Sequence, residues 1–254
     1  MKTLKLKTII TGAGSGLGAA TAKYLTNAGA DVVIFDQNIE KADEVARSIG
    51  GLAIQTDISN EKSVEQAMNQ AVEHWQQPPN AVINCAGIGA GSRIIDKEQN
   101  LSTDFFEKII KVNLLGTYLV MSHAIKHMIN APVLDEDSSQ GVIINTSSVA
   151  AEDGQVGQTA YAASKSGVAA LNLPAARELK KFGIRVVSIA PGLFATPLME
   201  KLPEKVREDI TRSVPFPPRL GKPEEYARLV EHIITNSYIN AINIRLDGGM
   251  RLPA

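Results

Sequence analysis

The segment Thr11-Gly12-Ala13-Gly14-Ser15-Gly16-Leu17-Gly18 determines the fold class of this chain of 254 residues. It separates a β-branched run, the predicted strand Leu4–Thr11, from the predicted helix Ala19–Ala28. A second predicted strand, Asp31–Phe35, ends at Asp36. This order of strand, glycine turn, helix, strand and acid predicts a dinucleotide-binding site, because glycines let the backbone approach a pyrophosphate at a helix N-terminus.

The glycine spacing departs from the commonest dinucleotide-binding pattern. Leu17 occupies the last position of Gly-x-Gly-x-x-Gly. Gly12, Gly16 and Gly18 instead fit Gly-x-x-x-Gly-x-Gly. A glycine-rich turn without a ligand is the alternative, and the flanking strands and helix favour the dinucleotide site over it.

Predicted strands and helices alternate along the rest of the chain. The further strands are Leu52–Thr56, Ala81–Asn84, Val142–Asn145, Ile184–Ile189 and Ala241–Leu246. The further helices are Ile39–Ile49, Glu61–Trp75, Thr103–Ile129, Gly157–Lys181 and Pro223–Asn236. This alternation predicts one α/β domain over residues 1–254, a Rossmann-type doubly wound parallel sheet of about seven strands with helices on both faces. Loops at about 88–102 and 194–220 leave the carboxyl ends of strands, where we expect the substrate site.

Composition disfavours several classes of partner. The chain is 44% hydrophobic and can bury one large core. Its net charge of -1 favours neither nucleic acid nor an anionic membrane, and no run approaches the ~20 apolar residues that span a bilayer. One cysteine excludes an internal disulfide and fits a reducing compartment. The basic segment Met1–Lys7 runs directly into the first predicted strand, so we expect a cytoplasmic protein without a cleaved signal.

Tyr161 and Lys165 are the first candidates for chemistry. They lie four residues apart in a predicted helix and therefore on one face of it. A phenol has an unperturbed pKa of about 10, and a neighbouring ammonium group favours its ionised form. The pair therefore predicts proton transfer near neutral pH, although Tyr-x-x-x-Lys alone also occurs in ordinary amphipathic helices.

Asp36 favours NAD over NADP as the cofactor. A carboxylate at the end of the second strand accepts hydrogen bonds from the adenosine ribose hydroxyls and repels a 2′-phosphate. Gln37 and Ser15 occupy the positions at which a phosphorylated cofactor usually meets a basic residue. The alternative is that Asp36 is a simple cap at the end of the strand.

Further motifs, taken in order, resemble the short-chain dehydrogenase/reductase family over nearly the whole chain. The matching residues are Thr11-Gly12-x-x-x-Gly16-x-Gly18, Asp57, Asn84-Cys85-Ala86-Gly87, Asn113, Ser148 with Tyr161 and Lys165, and Pro191-Gly192. The resemblance implies a Rossmann-fold oxidoreductase with a nicotinamide cofactor.

The resemblance also implies catalytic roles. Tyr161 is the general base in oxidation, and Lys165 lowers its pKa and holds the nicotinamide ribose. Ser148 donates to the reacting oxygen, so Ser148 and Tyr161 bind the substrate. Ser147 is the rival of Ser148, but the family spacing of thirteen residues before Tyr161 selects Ser148. Asn113 completes a tetrad by anchoring a water that relays protons from Lys165.

The implied cofactor contacts extend over the same motifs. The full set is Gly12, Ser15, Gly16, Leu17, Gly18, Asp36, Asp57, Ile58, Asn84, Cys85, Ala86, Gly87, Tyr161, Lys165, Pro191, Phe194 and Thr196. Cys85 replaces the second Asn of the commoner Asn-Asn-Ala-Gly, a change that spares a backbone contact but removes a side-chain amide. We expect no metal, because the nicotinamide carries the hydride chemistry and His123 and His127 are interpreted as helix surface.

Within the family, several segments resemble one subgroup, the 3-hydroxyacyl-CoA dehydrogenases. They are Val142–Thr146, Gly154–Gln158, Ala190–Phe194, Leu202–Val206, Val214–Pro217 and Ile244–Gly248. The implied reaction is the NAD-dependent oxidation of a secondary alcohol to a ketone, here 3-hydroxyacyl-CoA to 3-oxoacyl-CoA in fatty-acid β-oxidation. The alternatives are a hydroxysteroid or alcohol dehydrogenase, a 3-oxoacyl-carrier-protein reductase, and a non-catalytic NAD-binding scaffold. Leu198, Met199 and Leu202 either line the acyl or steroid site or form the buried face of a short helix.

The resemblance further implies a homotetramer. The predicted helix Gly157–Lys181 has more apolar positions than one buried stripe requires: Val168, Leu171, Leu173, Ala175 and Ala176. Ala241–Leu246 is expected at the edge of the sheet, where a strand needs a partner or a cover. We expect both elements to form isologous interfaces. The alternative for the helix is that its extra apolar residues pack against the sheet.

Overall fold

Seven parallel strands form one sheet in the order β3-β2-β1-β4-β5-β6-β7. The computed structural model describes residues 6–89, 91–200 and 211–252. The strands are β1 Lys7–Thr11, β2 Asp31–Asp36, β3 Leu52–Gln55, β4 Ala81–Asn84, β5 Gly141–Thr146, β6 Ile184–Pro191 and β7 Asn243–Leu246. The helices are α1 Gly16–Asn27, α2 Ile39–Ile49, α3 Glu61–Trp75, α4 Thr103–Ile110, α5 Gly116–Met128, α6 Thr159–Ala170, α7 Asn172–Leu179, α8 Pro197–Glu200 and α9 Pro223–Thr235. The predicted single-domain, Rossmann-type fold is confirmed.

Both faces of the sheet are covered by helices. Successive residues of a strand point to opposite faces, and in β1 Ile10 packs in one core layer while Ile9 packs in the other. The Ile10 layer contains residues of α1, α2 and α9, and the Ile9 layer contains residues of α3, α5 and α7. All residues of β5 and β6 are buried, as expected for central strands of a sheet covered on both sides.

The strand order reverses at β1, which pairs with both β2 and β4. In open α/β sheets, a crevice forms at the carboxyl ends of the strands on either side of such a reversal. The loops that follow β1, β2, β4, β5 and β6 meet at this edge. The candidate site described below lies there.

The predicted helix Thr103–Ile129 contains a change of winding. A π-helical turn, Lys111–Leu115, joins α4 to α5, and it contains the predicted tetrad residue Asn113. The backbone carbonyl of Asn113 accepts a hydrogen bond of 2.7 Å from Thr117 Oγ1. Such turns widen a helix locally and frequently occur at functional sites.

The predicted helix Gly157–Lys181 is interrupted at Leu171, between α6 and α7. Pro174 explains the interruption, because a proline has no N–H to donate and its ring clashes with the carbonyl four residues earlier. The proline was visible in the sequence. A single long helix was therefore the wrong prediction.

Most of the apolar excess assigned to this helix is buried within the subunit. Val168, Ala175 and Ala176 are buried, and Leu171 packs partly against the core under the sheet. Leu173 is the exposed member of the set, with 45% of its surface accessible. Burial within the subunit leaves Leu173 as the exposed residue of this set, Ala175 and Leu171 pack in the core under the sheet, and the isologous interfaces stay a prediction.

The ends of the sheet also differ slightly from the predictions. β7 is an edge strand, as predicted, but it begins at Asn243 because Ala241 adopts a left-handed backbone with φ of 59°. Leu4, predicted as the start of the first strand, lies outside the described residues. Among the helices that the structure describes, none is both long and apolar enough to cross a bilayer.

Candidate active site

Two adjoining cavities occupy the crevice at the carboxyl ends of the strands. The glycine cavity, of about 760 Å³, is lined by the turn after β1 and by Asp36. The tyrosine cavity, of about 470 Å³, is lined by Ser148, Tyr161 and Lys165. Residues common to both linings are Leu17, Cys85, Gly87, Ile88 and Thr196. The shared residues make the two cavities parts of one site.

Nearly all predicted cofactor residues line these cavities. The glycine cavity includes Gly12, Ser15, Gly16, Leu17, Gly18, Asp36, Asp57, Ile58, Cys85, Ala86, Gly87 and Thr196. The tyrosine cavity includes Tyr161, Lys165, Pro191 and Phe194. Asn84 belongs to neither lining: its buried side chain donates from Nδ2 to Asn145 Oδ1 at 2.9 Å. The Asn84 amide thus joins β4 to β5, and the place of Asn84 in the cofactor site stays a prediction.

The turn after β1 requires its glycines. Gly12 and Gly16 have φ of 67° and 57°, in the left-handed region that disfavours side chains. A Cβ atom on Gly12 would lie 2.7 Å from Ala86 Cα, and one on Gly18 would lie 2.6 Å from the Gly12 carbonyl oxygen. The bare backbone leaves room at the N-terminus of α1, so the turn fits the pyrophosphate of a dinucleotide.

The Asp36 carboxylate is oriented by two backbone N–H groups. Oδ2 accepts from Gly14 N at 2.8 Å, and Oδ1 accepts from Asn38 N at 2.9 Å. Each carboxylate oxygen has a further lone pair, so Asp36 retains capacity for the hydroxyl donors of a ribose. Lys108 and Lys111 also line this cavity. They were missed in the sequence because nothing in their helical spacing indicates which lysines face a ligand.

Lys165 is held at the floor of the tyrosine cavity. Its side chain is buried, and Nζ donates a hydrogen bond of 2.7 Å to the Thr146 carbonyl. Burial lowers its pKa to about 8, which still leaves it mainly charged at neutral pH. Gly87 permits the close approach of neighbouring groups, since a Cβ atom there would lie 3.4 Å from Lys165 Nζ.

The pKa of Tyr161 is controlled differently from the prediction. Burial raises the pKa of the Tyr161 phenol, and its hydrogen bond with Ser148 acts in the opposite direction. Lys165 Nζ lies 5.8 Å from the centroid of the Tyr161 ring and is directed at Thr146. The expected lowering of this pKa by Lys165 is therefore not found, and Ser148 is the group that favours the phenolate.

The two neighbouring serines have different environments. Ser147 Oγ donates to the Lys165 carbonyl at 2.9 Å and is 1% exposed, so it anchors α6. Ser148 begins the 3₁₀ turn Val149–Ala151, and its Oγ accepts from Ala150 N at 3.1 Å. Since Ser148 also hydrogen-bonds Tyr161, the geometry favours Ser148 over Ser147 for contact with a substrate.

Asn113 is buried behind the cavities. Its Oδ1 accepts from Ile88 N at 2.8 Å, and its Nδ2 donates to the Ile88 carbonyl at 3.0 Å and to Ser164 Oγ at 3.2 Å. Ser164 in turn donates to the Tyr161 carbonyl at 2.7 Å. The amide therefore fixes the loop after β4 against the helix that carries Tyr161, and its role in a proton relay remains a prediction.

Comparison with known families identifies the group to which the chain belongs. The family model described as short chain dehydrogenase matches residues 7–207. The chain belongs to the short-chain dehydrogenase family. It is thereby an oxidoreductase, and the two-cavity arrangement fits a protein of this kind.

Relatives of this short-chain dehydrogenase match along nearly their whole length. The rat 3-hydroxyacyl-CoA dehydrogenase type-2 is 44% identical over 251 residues, covering 97% of this chain and 95% of the rat protein. The human (3R)-3-hydroxyacyl-CoA dehydrogenase is 37% identical over 256 residues, covering 95% and 94%. The crystal structure of 3-hydroxyacyl-CoA dehydrogenase type-2 from Mycobacterium avium is 36% identical with a TM-score of 0.91, covering 97% and 96%.

Sequence reasoning missed a tyrosine that contacts three residues lining the tyrosine cavity of this short-chain dehydrogenase, namely Cys85, Thr146 and Phe194. Tyr226 on α9 is fully buried, and its hydroxyl shares a hydrogen bond of 2.8 Å with Thr146 Oγ1. Cys85 Sγ donates to the same hydroxyl at 3.7 Å, and the ring packs edge-on against Phe194. Burial raises the pKa of both Cys85 and Tyr226, which keeps them neutral at physiological pH. In the sequence, Tyr226 reads only as a core position of an amphipathic helix.

Two glutamines were also missed. The side chains of Gln155 and Gln158 line the tyrosine cavity beside Ser148 and Tyr161. Gln158 Oε1 accepts from Gln155 N at 3.2 Å. Gln158 lies three residues before Tyr161, so it is about 4.5 Å further down the axis of α6. Over residues 6–89, 91–200 and 211–252, no group of three or more His, Cys, Asp or Glu side chains could hold a metal ion.

Proposed function

We propose that this short-chain dehydrogenase is an NAD-dependent enzyme that oxidises 3-hydroxyacyl-CoA to 3-oxoacyl-CoA, as in fatty-acid β-oxidation. The observation that carries the proposal is the meeting of Ser148, Tyr161 and Lys165 in a cavity that adjoins a glycine-lined cavity of dinucleotide size. Hydride transfer requires a substrate and a nicotinamide to lie side by side, and adjoining cavities meet that requirement.

The residues of the tyrosine cavity supply the proton chemistry. A bound nicotinamide provides the hydride acceptor. Ser148 holds the reacting oxygen beside Tyr161, and Tyr161 removes the hydroxyl proton as general base. The hydrogen bond with Ser148 favours the phenolate form of Tyr161 that accepts this proton, and Lys165 stays mainly protonated because its pKa is about 8. Thr196 lines both cavities and Phe194 lines the tyrosine cavity, and these two residues would hold the carboxamide end of the nicotinamide.

Asp36 supports NAD as the cofactor. Its carboxylate lines the glycine cavity in an orientation fixed by Gly14 and Asn38. A fixed negative charge there accepts hydrogen bonds from ribose hydroxyls and opposes a 2′-phosphate. Lys108 and Lys111 also line this cavity, and their positive charges attract the negatively charged pyrophosphate.

Gln158 supports an acyl thioester as the substrate. A 3-hydroxyacyl-CoA has two oxygens in a 1,3 relationship, the reacting hydroxyl and the thioester carbonyl. Ser148 and Tyr161 take the first. The Gln158 amide lines the same cavity one helical turn before Tyr161 and has two N–H groups, of which one faces Gln155 Oε1 at 3.4 Å and the other can donate to the second oxygen. Met199, predicted for the acyl site, lines the same cavity. The side chain of Leu198, and Leu202 as a whole, lie outside the described residues.

A substrate panel tests this proposal. We expect NAD-dependent formation of NADH with 3-hydroxybutyryl-CoA at a higher kcat/KM than with a hydroxysteroid or a simple secondary alcohol. NADPH-dependent reduction of an acyl-carrier-protein thioester would instead identify a reductase. Nucleotide binding without turnover of any of these compounds would identify a scaffold and contradict the proposal.

We propose further that the enzyme is a homotetramer and that it acts in the cytoplasm. Exposed apolar residues on α4, α5, α7 and beside β7 support assembly: Phe106, Tyr118, Leu173 and Ile242, which are 41%, 48%, 45% and 51% exposed. The single cysteine, Cys85, supports a reducing compartment. Light scattering at micromolar concentration should give about four times the 27.2 kDa of one chain. A mass near one chain would contradict the assembly.

A further inference from the structure

A side-chain network joins β7 to the segment that follows β5. Arg245, near the end of β7, donates from Nη1 to Glu152 and from Nη2 to Asp153, both at 2.7 Å. Its Nε donates to Asp247 at 2.9 Å, and Nη2 also reaches the Met250 carbonyl at 3.1 Å. One guanidinium group, only 16% exposed, therefore contacts three carboxylates and a backbone carbonyl.

Two of these carboxylates belong to the turn that Ser148 begins. The Ser148 carbonyl accepts from Ala151 N at 3.0 Å. The Val149 carbonyl accepts from Glu152 N at 3.0 Å and from Asp153 N at 2.9 Å. The backbone between Ser148 and Asp153 is thus a short hydrogen-bonded unit, and a force on its end is transmitted to its beginning.

The other contacts belong to the opposite wall of the tyrosine cavity. Asp247 and Met250 lie in the turn that follows β7, and this turn leads to Leu252, which lines the cavity. The Leu252 backbone N–H hydrogen-bonds Asp153, so the two walls also touch directly. Met250 packs with Val149 in a small apolar cluster between the walls.

The three carboxylates around Arg245 favour an arginine over a lysine at this position. The side chains of Asp153 and Asp247 are only 14% and 8% exposed, so their mutual repulsion is weakly screened by water. Arginine presents several donors in a rigid fork, whereas lysine is a point charge that cannot contact all three carboxylates in the same geometry. Arg251 is 64% exposed and contacts one of the three carboxylates, Asp247, at 3.4 Å, besides donating to the Met250 carbonyl at 2.7 Å, so it is peripheral.

We propose that Arg245 is a positioning residue for the reaction. It clamps the Ser148 turn against the Leu252 wall and thereby keeps the Ser148 hydroxyl directed at Tyr161. This inference rests on the role proposed above for Ser148. Arg245 lines neither cavity, and it acts on the site through the Ser148–Asp153 segment.

The test compares four variants of the full-length protein. Arg245→Met removes the guanidinium group and keeps much of the aliphatic side chain, whereas Arg245→Lys keeps a positive charge. Arg251→Met is the matched control. Ser148→Ala tests the role of the serine itself. For each, kcat and KM with 3-hydroxybutyryl-CoA are measured beside the Kd of NADH by fluorescence. A displacement of about 1 Å at a reacting group costs on the order of 10²-fold in rate, so we expect a fall of that order in kcat for Arg245→Met.

The pattern across the variants separates positioning from folding. We expect NADH affinity within about twofold of wild type for Arg245→Met, partial recovery of kcat in Arg245→Lys, and nearly unchanged kinetics in Arg251→Met. An Arg245→Met enzyme that binds NADH and keeps more than about half of the wild-type kcat would overturn the inference. Should that variant not fold, Asp153→Asn applies the same criteria from the other side of the pair. Full activity of Ser148→Ala would instead overturn the proposed function itself.

Discussion

The two cavities of the site are built in different ways. The glycine cavity is formed by short turns after β1 and β2, and its shape is set by backbone conformation at Gly12 and Gly16 and by backbone donors to Asp36. The tyrosine cavity is enclosed by longer segments that side chains hold in place, among them Arg245 and Tyr226. The first cavity is thus specified locally, whereas the second depends on contacts between distant parts of the chain.

This difference separates binding from chemistry. A cofactor common to many enzymes requires a fixed cradle, which backbone groups provide regardless of most side chains. Substrate choice and proton transfer depend on individual side chains, which can change without altering the fold. Substitutions in the tyrosine cavity should therefore alter kcat, and substitutions in the glycine cavity should mainly alter cofactor affinity.

The largest effect is expected in the tyrosine cavity, from Tyr161→Phe. This change removes the ionisable oxygen and keeps the ring, so turnover should fall by the ~10²–10⁴-fold typical of a lost general base, with NADH affinity retained. Steady-state kinetics and a fluorescence titration measure the two quantities. Tyr238→Phe, at a side chain that is 98% exposed, is the matched control. A Tyr161→Phe enzyme with more than a tenth of wild-type turnover would remove Tyr161 from the role.

A smaller effect, on cofactor affinity instead of turnover, is expected in the glycine cavity from Asp36→Asn. The amide has nearly the same shape, but it loses the charge that favours ribose hydroxyls and repels a 2′-phosphate, and its NH2 group cannot accept one of the two backbone N–H groups that orient Asp36. We expect KM for NAD to rise by roughly tenfold, discrimination against NADP to fall, and kcat to change little. Kinetics with both cofactors measure this, with Asp43→Asn on the exposed face of α2 as the control. Unchanged Michaelis constants for both cofactors would show that Asp36 does not face the ribose.

Gln158→Ala should sharpen the comparison within the tyrosine cavity. Loss of one hydrogen bond to the thioester carbonyl should lower kcat/KM for 3-hydroxybutyryl-CoA by roughly 3–10-fold. A secondary alcohol without a second carbonyl has no such contact to lose, so its kcat/KM should change by less than about twofold. Gln66→Ala, on the exposed side of α3, is the control. Equal losses for both substrates would mean that Gln158 supports the cavity and does not recognise the thioester.

The smallest effect concerns stability. Burial lowers the pKa of Lys165 to about 8, against about 10.4 in an unfolded chain. The unfolded chain therefore binds more protons between these two values, so the contribution of Lys165 to stability rises with pH across this window. Relative to Lys165→Met, the free energy of unfolding of the wild type should gain roughly 1 kcal/mol from about pH 7 to about pH 9. Urea unfolding at both values checks this, and an identical difference at both would contradict the burial of the ammonium group.

The contrast between local and long-range contacts in the two cavities explains which features could be predicted from the sequence. The glycines and Asp36 were readable because each acts within a few residues of a predicted strand end. Arg245 and Glu152 are 93 positions apart, and Tyr226 and Thr146 are 80 apart, so only the folded topology brings them together. Neither pair has a spacing or a composition that marks it in advance.

The errors have specific physical causes. The break at Leu171 followed from Pro174, whose effect on a helix is predictable and was overlooked. The sequence could not show which group adjusts the pKa of Tyr161, because the four-residue spacing to Lys165 does not reveal that Nζ is directed at the Thr146 carbonyl.

The most direct test of the account follows the hydride itself. 3-Hydroxybutyryl-CoA carrying deuterium on C3 is oxidised with NAD, and the reduced nucleotide is analysed by mass spectrometry. If the substrate in the tyrosine cavity lies beside the nicotinamide, one deuterium should appear in each molecule of NADH formed, with a slower rate than for the unlabelled substrate. Formation of 3-oxobutyryl-CoA with the deuterium lost to water, or no formation of it with either NAD or NADP, would contradict the claim that the two cavities form one dehydrogenase site.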